Sequence, residues 1–309
     1  MRDRGDLHEL AQELHLGAPA ASIRLDEPMS FYTTMRVGGP ADLIIEPTRL
    51  DDVVWVVRRL RRAGVPCLVM GQGSNLIVRD GGVRGVVLRL SGGYARIEVD
   101  GNRLTAQAGA TLGSLSRAAL RAGLAGLEFA VGIPGTLGGG IFMNAGAYGG
   151  ELGPLVHSCL VVSQGGELAR LACSDLAFGY RHSILQEQPW YALEATLELR
   201  PGNREEIAAL MRRYTEEREA KQPLDMPSAG SVFRRPEGYF VGKLVTDAGL
   251  RGFRLGGAQV SEKHAGFIVN AGGATAADIL ALIDHVQQTV RARFGVSLET
   301  EVRIVGEDR

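Results

Sequence analysis

Two glycine-rich segments constrain this chain more than any other feature of its sequence. The first is "GQGSN", residues 71–75, which follows the apolar run "VPCLVM"; the second is "GIPGTLGGGIFMNAGAYGG", residues 132–150. Glycine adopts positive φ and has no Cβ, so successive N–H groups can turn toward one phosphate oxygen. An isolated segment of this kind is usually a tight β-turn. Two of them in one chain favour a large phosphate-bearing ligand, and a dinucleotide has the required size.

The first segment matches neither of the two commonest nucleotide-binding patterns. A Rossmann fingerprint needs a third glycine where this chain has Leu76, and the residues that follow predict a strand rather than a helix. A P-loop needs a lysine directly after the glycines, and none is present.

Composition favours a globular protein that acts on small molecules. The chain has 309 residues and a net charge of -1, with acidic and basic residues mixed along its length, so it predicts two or three domains and no nucleic-acid partner. Cys67, Cys159 and Cys173 are far apart in apolar surroundings, which predicts reduced thiols and no metal site. No apolar run is long enough to cross a bilayer, and the N-terminal segment is charged. We therefore expect a cytoplasmic protein that does not bind membranes.

Apolar spacing predicts three helices, besides a charged N-terminal one. Their sequences are "LDDVVWVVRRLRRAG", "REEIAALMRRYTEEREAKQP" and "TAADILALIDHVQQTVRARFG". Thr275 and Asp278 have capping-box spacing at the start of the last helix. Short β-rich runs lie between these helices, which indicates an α+β or mixed α/β chain. We expect three domains, at residues 1–92, 93–200 and 201–309, and we expect "LETEVRIVGEDR" to return to the active site or to cover the third domain.

Seven stretches, taken in order, resemble the UDP-N-acetylenolpyruvoylglucosamine reductase family. The resemblance covers almost the whole chain from about residue 30, and the direct run from "FGYRHS" into "ILQEQPWYALEATLEL" is similar to the shorter of the two subgroups of this family. The seven stretches are "TTMRVGGPADL" (33–43), "GQGSNLIVRDGG" (71–82), "GIPGTLGGGIFMNAGAYGGE" (132–151), "FGYRHS" (178–183), "KQPLDMPSAGSVFRRP" (221–236), "GGAQVSEKHAGFIVN" (256–270) and "LETEVRIVG" (298–306).

This resemblance implies an α+β fold with a two-part FAD-binding module of the vanillyl-alcohol oxidase type, followed by a third, substrate-binding α+β domain. Residues 1–92 and 93–200 would form the FAD-binding module. NADPH would reduce FAD and leave, and the enolpyruvyl ether of a UDP-sugar would then accept hydride and become UDP-N-acetylmuramate, a step toward peptidoglycan. The glycine segments contain no histidine, so we expect the FAD to be noncovalent, and we expect the protein to be a monomer.

The resemblance also implies three catalytic residues. Arg181 would hold the substrate carboxylate and the charge that develops on it, Ser231 would donate the proton to carbon, and Glu301 would orient or protonate the enolate. Taken alone, Arg181 has an ordinary explanation as part of a surface ion pair. Glu299 carries the same chemistry as Glu301, and strand alternation would place both on one face; the "EVR" pattern favours Glu301.

Binding residues follow from the same matches. For the substrate we expect Tyr180, Lys221, Arg234 and His264, while Arg235 occupies a position where the longer subgroup tends to have asparagine. For FAD we expect Arg36, Gly38, Gly71, Gly73, Ser74, Asn75, Gly132, Gly135, Thr136, Gly138, Gly139, Asn144 and Gly146. Two other functions remain open at this point: another FAD-dependent oxidoreductase or oxidase on the same scaffold, or a noncatalytic nucleotide-binding protein.

Overall fold

The computed structural model describes residues 4–308. Its helices are α1 (Arg4–Gly17), α2 (Leu50–Arg62), α3 (Leu112–Ala122), α4 (Leu137–Met143), α5 (Arg204–Lys221), α6 (Val241–Asp247) and α7 (Ala276–Phe294). Its strands are β1 (Ser22–Pro28), β2 (Pro40–Glu46), β3 (Cys67–Met70), β4 (Leu76–Val78), β5 (Val83–Arg89), β6 (Ile97–Asp100), β7 (Arg103–Gln107), β8 (Leu124–Ala125), β9 (Gly146–Ala147), β10 (Gly150–Glu151), β11 (Val156–Ser163), β12 (Leu168–Ala172), β13 (Trp190–Glu198), β14 (Arg200–Pro201), β15 (Ser228–Ser231), β16 (Arg254–Leu255), β17 (Ala258–Val260), β18 (Phe267–Asn270) and β19 (Arg303–Val305).

The predicted helices are confirmed as α1, α2, α5 and α7. In α7 the side chain of Thr275 accepts a hydrogen bond from the N–H of Asp278, and Asp278 bonds back to the N–H of Thr275, so the predicted capping box forms. The apolar stripe from Ile279 to Val290 is buried. Gly64 follows α2 at a φ of +60°, where it ends the helix without a Cβ clash.

Three helices, α3, α4 and α6, were not predicted. Helix α4 is the least expected because it lies inside the second glycine segment, and each glycine costs about 1 kcal/mol of helix propensity relative to alanine. Packing offsets this cost: Leu137 and Ile141 are fully buried, and a Cβ on Gly140 would lie 2.7 Å from Leu152 Cδ1. Tertiary contacts therefore decide the helix, which a propensity argument does not reveal.

The chain divides into two compact units, each built from separate segments. Unit 1 contains the residues up to 25, 43–72 and 85–218; unit 2 contains residues 26–42, 73–84 and those from 219 onward. The division into three domains at residues 92 and 200 remains a prediction. In unit 1, an antiparallel sheet of order β12-β11-β13-β7-β6 packs against the cluster that includes Leu112, Leu137 and Ile141. Around α2, a second cluster in this unit includes Val53, Val57 and Leu60.

Unit 2 has its own sheet and core. The sheet has the order β15-β18-β17-β16 and is antiparallel, and α7 contributes Ile279, Leu282 and Val286 to the core of this unit. Strand β19 pairs in parallel with β4, which directly follows the first glycine segment. A second four-stranded sheet, of order β1-β2-β5-β3, consists mostly of unit 1 residues.

Glu299 and Glu301 lie before strand β19 and not within it. Strand β19 begins only at Arg303. Before it, the N–H of Arg234 donates to the Glu299 carbonyl and the N–H of Glu301 donates to the Val232 carbonyl. These two bonds form an isolated antiparallel bridge between Thr300 and Phe233. Glu299 and Glu301 flank that bridge, so the expectation that both lie on one face remains a prediction.

The three cysteines are free thiols in the structure. Burial raises the pKa values of the Cys67 and Cys159 thiols to about 12. Over residues 4–308, no helix is both long and apolar enough to cross a membrane. That same range contains no group of histidine, cysteine and carboxylate side chains that could hold a metal ion.

Candidate active site

In unit 2, main-chain hydrogen bonds bring Ser231 and Glu301 into neighbouring positions. Ser231 is the last residue of β15 and pairs with Phe267. The next carbonyl, that of Val232, accepts the N–H of Glu301 at 2.7 Å. Gly230 has a φ of +81°, and a Cβ built on it would meet no atom within 4 Å. The backbone before Ser231 therefore borders open space into which a ligand could come close.

The first glycine segment is attached to the same place through Asn75. Its side-chain Nδ2 donates to the Glu301 carbonyl at 3.1 Å, and its own carbonyl accepts the N–H of Arg303 at 2.9 Å. Gly73 has a φ of +64°, and its carbonyl accepts the N–H of Thr34. Unit 2 thus joins Asn75, Ser231 and Glu301, three residues from distant parts of the sequence.

Glu299 and Glu301 differ in their surroundings. Glu299 is exposed, whereas Glu301 is half-buried and has a neighbour on each side of its peptide group, Val232 and Asn75. This arrangement gives a physical reason for preferring Glu301 over Glu299 as the functional carboxylate. The choice rests on position and burial.

The other candidates in unit 2 have diverse environments. Nε of Arg234 is buried and has no hydrogen-bond partner within residues 4–308, and Lys221 is exposed. Burial lowers the pKa of His264, whose Nδ1 accepts the N–H of Gly266 at 3.1 Å. Its ring also lies edge-on to Phe267. His264 therefore has a structural role whether or not it binds substrate.

Arg36 and Gly38 occupy a strained turn of unit 2. Arg36 is exposed at a φ of +57°, which is uncommon for a residue with a side chain. Gly38 has a φ of +127°, and a Cβ there would lie 2.8 Å from Val78 Cβ. Packing alone thus requires glycine at position 38.

In unit 1, Arg181 is oriented by the second glycine segment. Its Nη2 donates to the Gly146 carbonyl at 3.1 Å, and its Cζ lies 5.2 Å from the ring centre of Tyr180. The φ of Arg181 is +53°. Its carbonyl accepts Nε2 of Gln186 at 2.9 Å, and the same Nε2 donates to the Phe142 carbonyl at 2.8 Å. These bonds hold a conformation that is costly by itself and that presents the guanidinium at the glycine segment.

Asn144 also joins the Arg181 loop to the glycine segment. It is fully buried at a φ of +42°. Nδ2 donates to the Gly179 carbonyl at 3.0 Å, and Oδ1 accepts the N–H of Gly153 at 2.8 Å. Its first role is therefore structural. Ser183 adds a further bond, from Oγ to the Phe142 carbonyl.

The glycines of the second segment perform different tasks. The N–H of Gly138 already donates to the Ala108 carbonyl, and a Cβ on Gly138 would lie 3.0 Å from Ala108 Cβ, so this glycine is a packing residue. At Gly139 the nearest atom is Thr136 Oγ1 at 3.9 Å, which leaves room. In the first segment, a Cβ on Gly71 would collide with Thr136, a buried residue of the second segment. The expected cofactor glycines thus include some that packing explains.

A cleft of about 500 Å³ opens in unit 1 beside the first glycine segment. It receives Gln72 from that segment, and its other lining residues carry hydroxyl groups, a carboxylate and a guanidinium, or no side chain beyond Cβ. These residues are Glu46, Arg89, Ser91, Gly92, Gly93, Ala95, Gly109, Ala110, Thr111 and Ser114. An open cleft with small and hydroxylated residues next to Gln72 of the first glycine segment fits part of a dinucleotide such as FAD.

Sequence reasoning missed the residues that position Arg181. Ser183 lies within the quoted "FGYRHS" stretch, but its contact with the Phe142 carbonyl is not evident from spacing. Gln186 carried no signal at all, since an isolated glutamine three residues beyond this stretch is compatible with any surface. Their roles depend on contacts with Phe142, about forty residues away in sequence.

Comparisons with known proteins agree with this architecture. Residues 41–172 match an FAD-binding domain model, and residues 222–305 match the C-terminal domain model of UDP-N-acetylenolpyruvoylglucosamine reductase. The Pediococcus pentosaceus protein of that name is 50% identical over 291 residues, which cover 94% of this chain and 97% of that protein. The Clostridium perfringens protein is 49% identical over 286 residues, 93% of this chain and 94% of that protein.

A crystal structure of the Thermus caldophilus reductase aligns with a TM-score of 0.79 at 34% identity, covering 92% of this chain and 98% of that one. These findings confirm the predicted α+β fold with an FAD-binding module, and the prediction of an FAD-dependent oxidoreductase. They favour the reductase over an unrelated oxidase or a noncatalytic protein. The chain belongs to the UDP-N-acetylenolpyruvoylglucosamine reductase family.

Proposed function

We propose that this protein reduces the enolpyruvyl ether of UDP-N-acetylglucosamine enolpyruvate to UDP-N-acetylmuramate, with NADPH as the reductant, in peptidoglycan synthesis. The observation that carries the proposal is the junction of Asn75, Ser231 and Glu301 in unit 2, together with 50% identity over almost the whole chain to a reductase of this name. The protein would act in the cytoplasm as a monomer.

FAD would be held by the glycine segments and the adjoining cleft. When bound, FAD takes two electrons from NADPH and passes them on to the substrate. In unit 2, the proposed FAD contacts are Gly73, Ser74 and Asn75 of the first segment. In unit 1, they are Gly139 of the second segment, where space is open, and the cleft lined by Gln72, Ser91 and Thr111.

Arg181 would bind the substrate carboxylate. The enolpyruvyl double bond is electron-rich, so its reduction requires charge to move onto the carboxylate, and a fixed guanidinium there stabilises that charge by several kcal/mol. Two bonds support this role. The guanidinium donates to the Gly146 carbonyl, and Gln186 donates to the Arg181 carbonyl, so the residue is held in place before the substrate arrives. Tyr180 beside it is exposed enough to contact the sugar or the diphosphate.

Ser231 would deliver the proton and Glu301 would orient the enolate. After two electrons and one hydrogen have reached the substrate, the carbon beside the ether oxygen still needs a proton, and the Ser231 hydroxyl is the donor closest to open space in β15. A serine is a weak acid, so the basic enolate must draw the proton from it. Lys221 and Arg234 would bind the diphosphate, and His264 would line this region.

Two half-reactions of the purified protein test the proposal. The protein should be yellow, and denaturation should release its FAD. Under anaerobic conditions NADPH should bleach the flavin, and the enolpyruvyl UDP-sugar should restore the colour with formation of UDP-N-acetylmuramate. Reoxidation by added oxygen but not by the UDP-sugar would favour another FAD oxidoreductase, and absence of bleaching would favour a noncatalytic binder.

A further inference from the structure

Arg218 lies near the end of α5 and packs against the first residue of the second glycine segment. A Cβ on Gly132 would come within 2.8 Å of Arg218 Cδ, so the arginine stem occupies space that only glycine leaves open. The side chain is half-buried. An arginine is therefore held against the segment that is expected to border FAD.

The charge of Arg218 has no counterpart within the described chain, residues 4–308. Other partly buried arginines have an acidic partner: Arg84 pairs with Asp42, and Arg89 pairs with Glu46. No hydrogen bond or ion pair joins the Arg218 side chain to a described residue, and Tyr148 interacts with it electrostatically. Burial lowers the pKa of this guanidinium. Since arginine does not release its proton in proteins, the charge itself is held in a poorly solvated place.

Two stacked tyrosines connect the helix of Arg218 to the second glycine segment. The rings of Tyr148 and Tyr214 stack with centres 4.3 Å apart and planes 8° apart, and the Tyr148 hydroxyl donates to the Tyr214 carbonyl at 3.1 Å. Tyr214 precedes Arg218 by one helical turn. This stack attaches α5, the helix that carries Arg218, to the glycine segment.

We propose that Arg218 binds a phosphate group of a nucleotide at the second glycine segment. A phosphate would supply the missing negative charge, and the planar fork of arginine suits two of its oxygens. This proposal rests on the proposed function, which brings three phosphate sources to this unit: the FAD pyrophosphate, the 2′-phosphate that distinguishes NADPH from NADH, and the diphosphate of the UDP-sugar.

The test compares Arg218→Met and Arg218→Lys with the matched variant Arg212→Met, which removes an exposed arginine from the same helix. Three quantities are measured on FAD-loaded protein: FAD retention on dilution, flavin reduction as a function of NADPH and of NADH concentration, and reoxidation as a function of UDP-sugar concentration. Arg218→Met should weaken the binding of FAD, of NADPH or of the UDP-sugar by about 10- to 100-fold, the range for a charged hydrogen bond. Arg218→Lys should recover part of that affinity.

The three measurements identify the source. Loss of bound FAD indicates that Arg218 binds the FAD pyrophosphate. A weaker apparent affinity for NADPH with an unchanged affinity for NADH indicates the 2′-phosphate. A weaker apparent affinity for the UDP-sugar indicates its diphosphate. If Arg218→Met matches Arg212→Met in all three, the proposal is overturned. Failure of the wild type to reoxidise with the UDP-sugar would instead contradict the proposed function, while the FAD and NADPH measurements would still decide the role of Arg218.

Thermal unfolding separates binding from a structural role. If Arg218→Met retains FAD as the wild type does, FAD is not the partner of Arg218, and removing a charge without a partner should leave the unfolding temperature of the FAD-loaded protein unchanged or raise it. A fall of several degrees with all three nucleotide affinities intact would mean that the arginine supports the fold, and would overturn the proposal.

Discussion

The Arg181 region of unit 1 and the Ser231–Glu301 region of unit 2 are held in place by different kinds of bonds. Arg181 depends on side chains, because Gln186 and Asn144 fix its loop to the glycine segment. Ser231 and Glu301 depend mainly on the main chain, through the Val232 carbonyl and the pairing of β15 with β18, with one side-chain bond from Asn75 to the Glu301 carbonyl. Substitutions near Arg181 should therefore move it, whereas substitutions at Ser231 or Glu301 should change chemistry and leave the geometry intact.

The largest effect is expected at Ser231. Ser231→Ala should retain FAD and be reduced by NADPH at nearly the normal rate, but reoxidation by the UDP-sugar should slow by about 100- to 10,000-fold, the range for a positioned proton donor. The reason is that only the second half-reaction needs a proton at carbon. Stopped-flow absorbance of the flavin measures the two halves separately.

Ser228→Ala, at the other end of β15, is the matched control and should leave both halves unchanged. Equal slowing of both halves in Ser231→Ala would mean that the hydroxyl supports the flavin or the fold. That outcome would contradict the difference between the two regions, because the geometry of unit 2 would then depend on the Ser231 side chain.

Glu301→Gln should follow, with at least about a 100-fold loss in reoxidation of the reduced flavin. Glu299→Gln should have little effect because Glu299 is exposed and its carbonyl, not its carboxylate, accepts the N–H of Arg234. Flavin reduction should survive in both variants. Single-turnover measurements compare the two variants. If Glu299→Gln is the damaging change, Glu299 and not Glu301 is the functional carboxylate. If neither variant is slowed, the C-terminal segment does not contribute to the site.

A smaller effect is expected at Gln186. Gln186→Leu deprives the Arg181 and Phe142 carbonyls of a shared donor, which costs about 1–3 kcal/mol. If part of this cost appears as misplacement of Arg181, reoxidation by the UDP-sugar should slow about 10-fold. The exposed Gln188→Leu serves as the control. Normal reoxidation in Gln186→Leu, with lower stability, would show that Arg181 does not depend on this side-chain contact.

Sequence reasoning succeeded where the signal is local and failed where it depends on distant contacts. Thr275 and Asp278 identify the start of α7 by themselves, and the valines of α2 identify its buried face. Helix α4 could not be predicted, since its glycines oppose helix formation and its stability comes from Leu137 and Ile141 in the core. The family resemblance supplied Arg181, Ser231 and Glu301 as candidates, but their supporting bonds, from Gln186 and Asn75, appear only in three dimensions.

The smallest expected effect distinguishes glycine as a backbone requirement from glycine as a ligand contact. Gly73 and Gly64 have nearly the same φ, +64° and +60°, but Gly64 is exposed at the end of α2 and far from any predicted ligand contact. Valine at either position should cost at least about 1–2 kcal/mol of unfolding free energy, because both place a Cβ in the left-handed region. Denaturant unfolding measures this shared cost. Only Gly73→Val should also lose FAD, seen as a colourless preparation, because its valine lies where backbone must approach phosphate. Equal FAD content in the two variants would mean that position 73 needs glycine for its turn alone, and that the pyrophosphate is bound elsewhere.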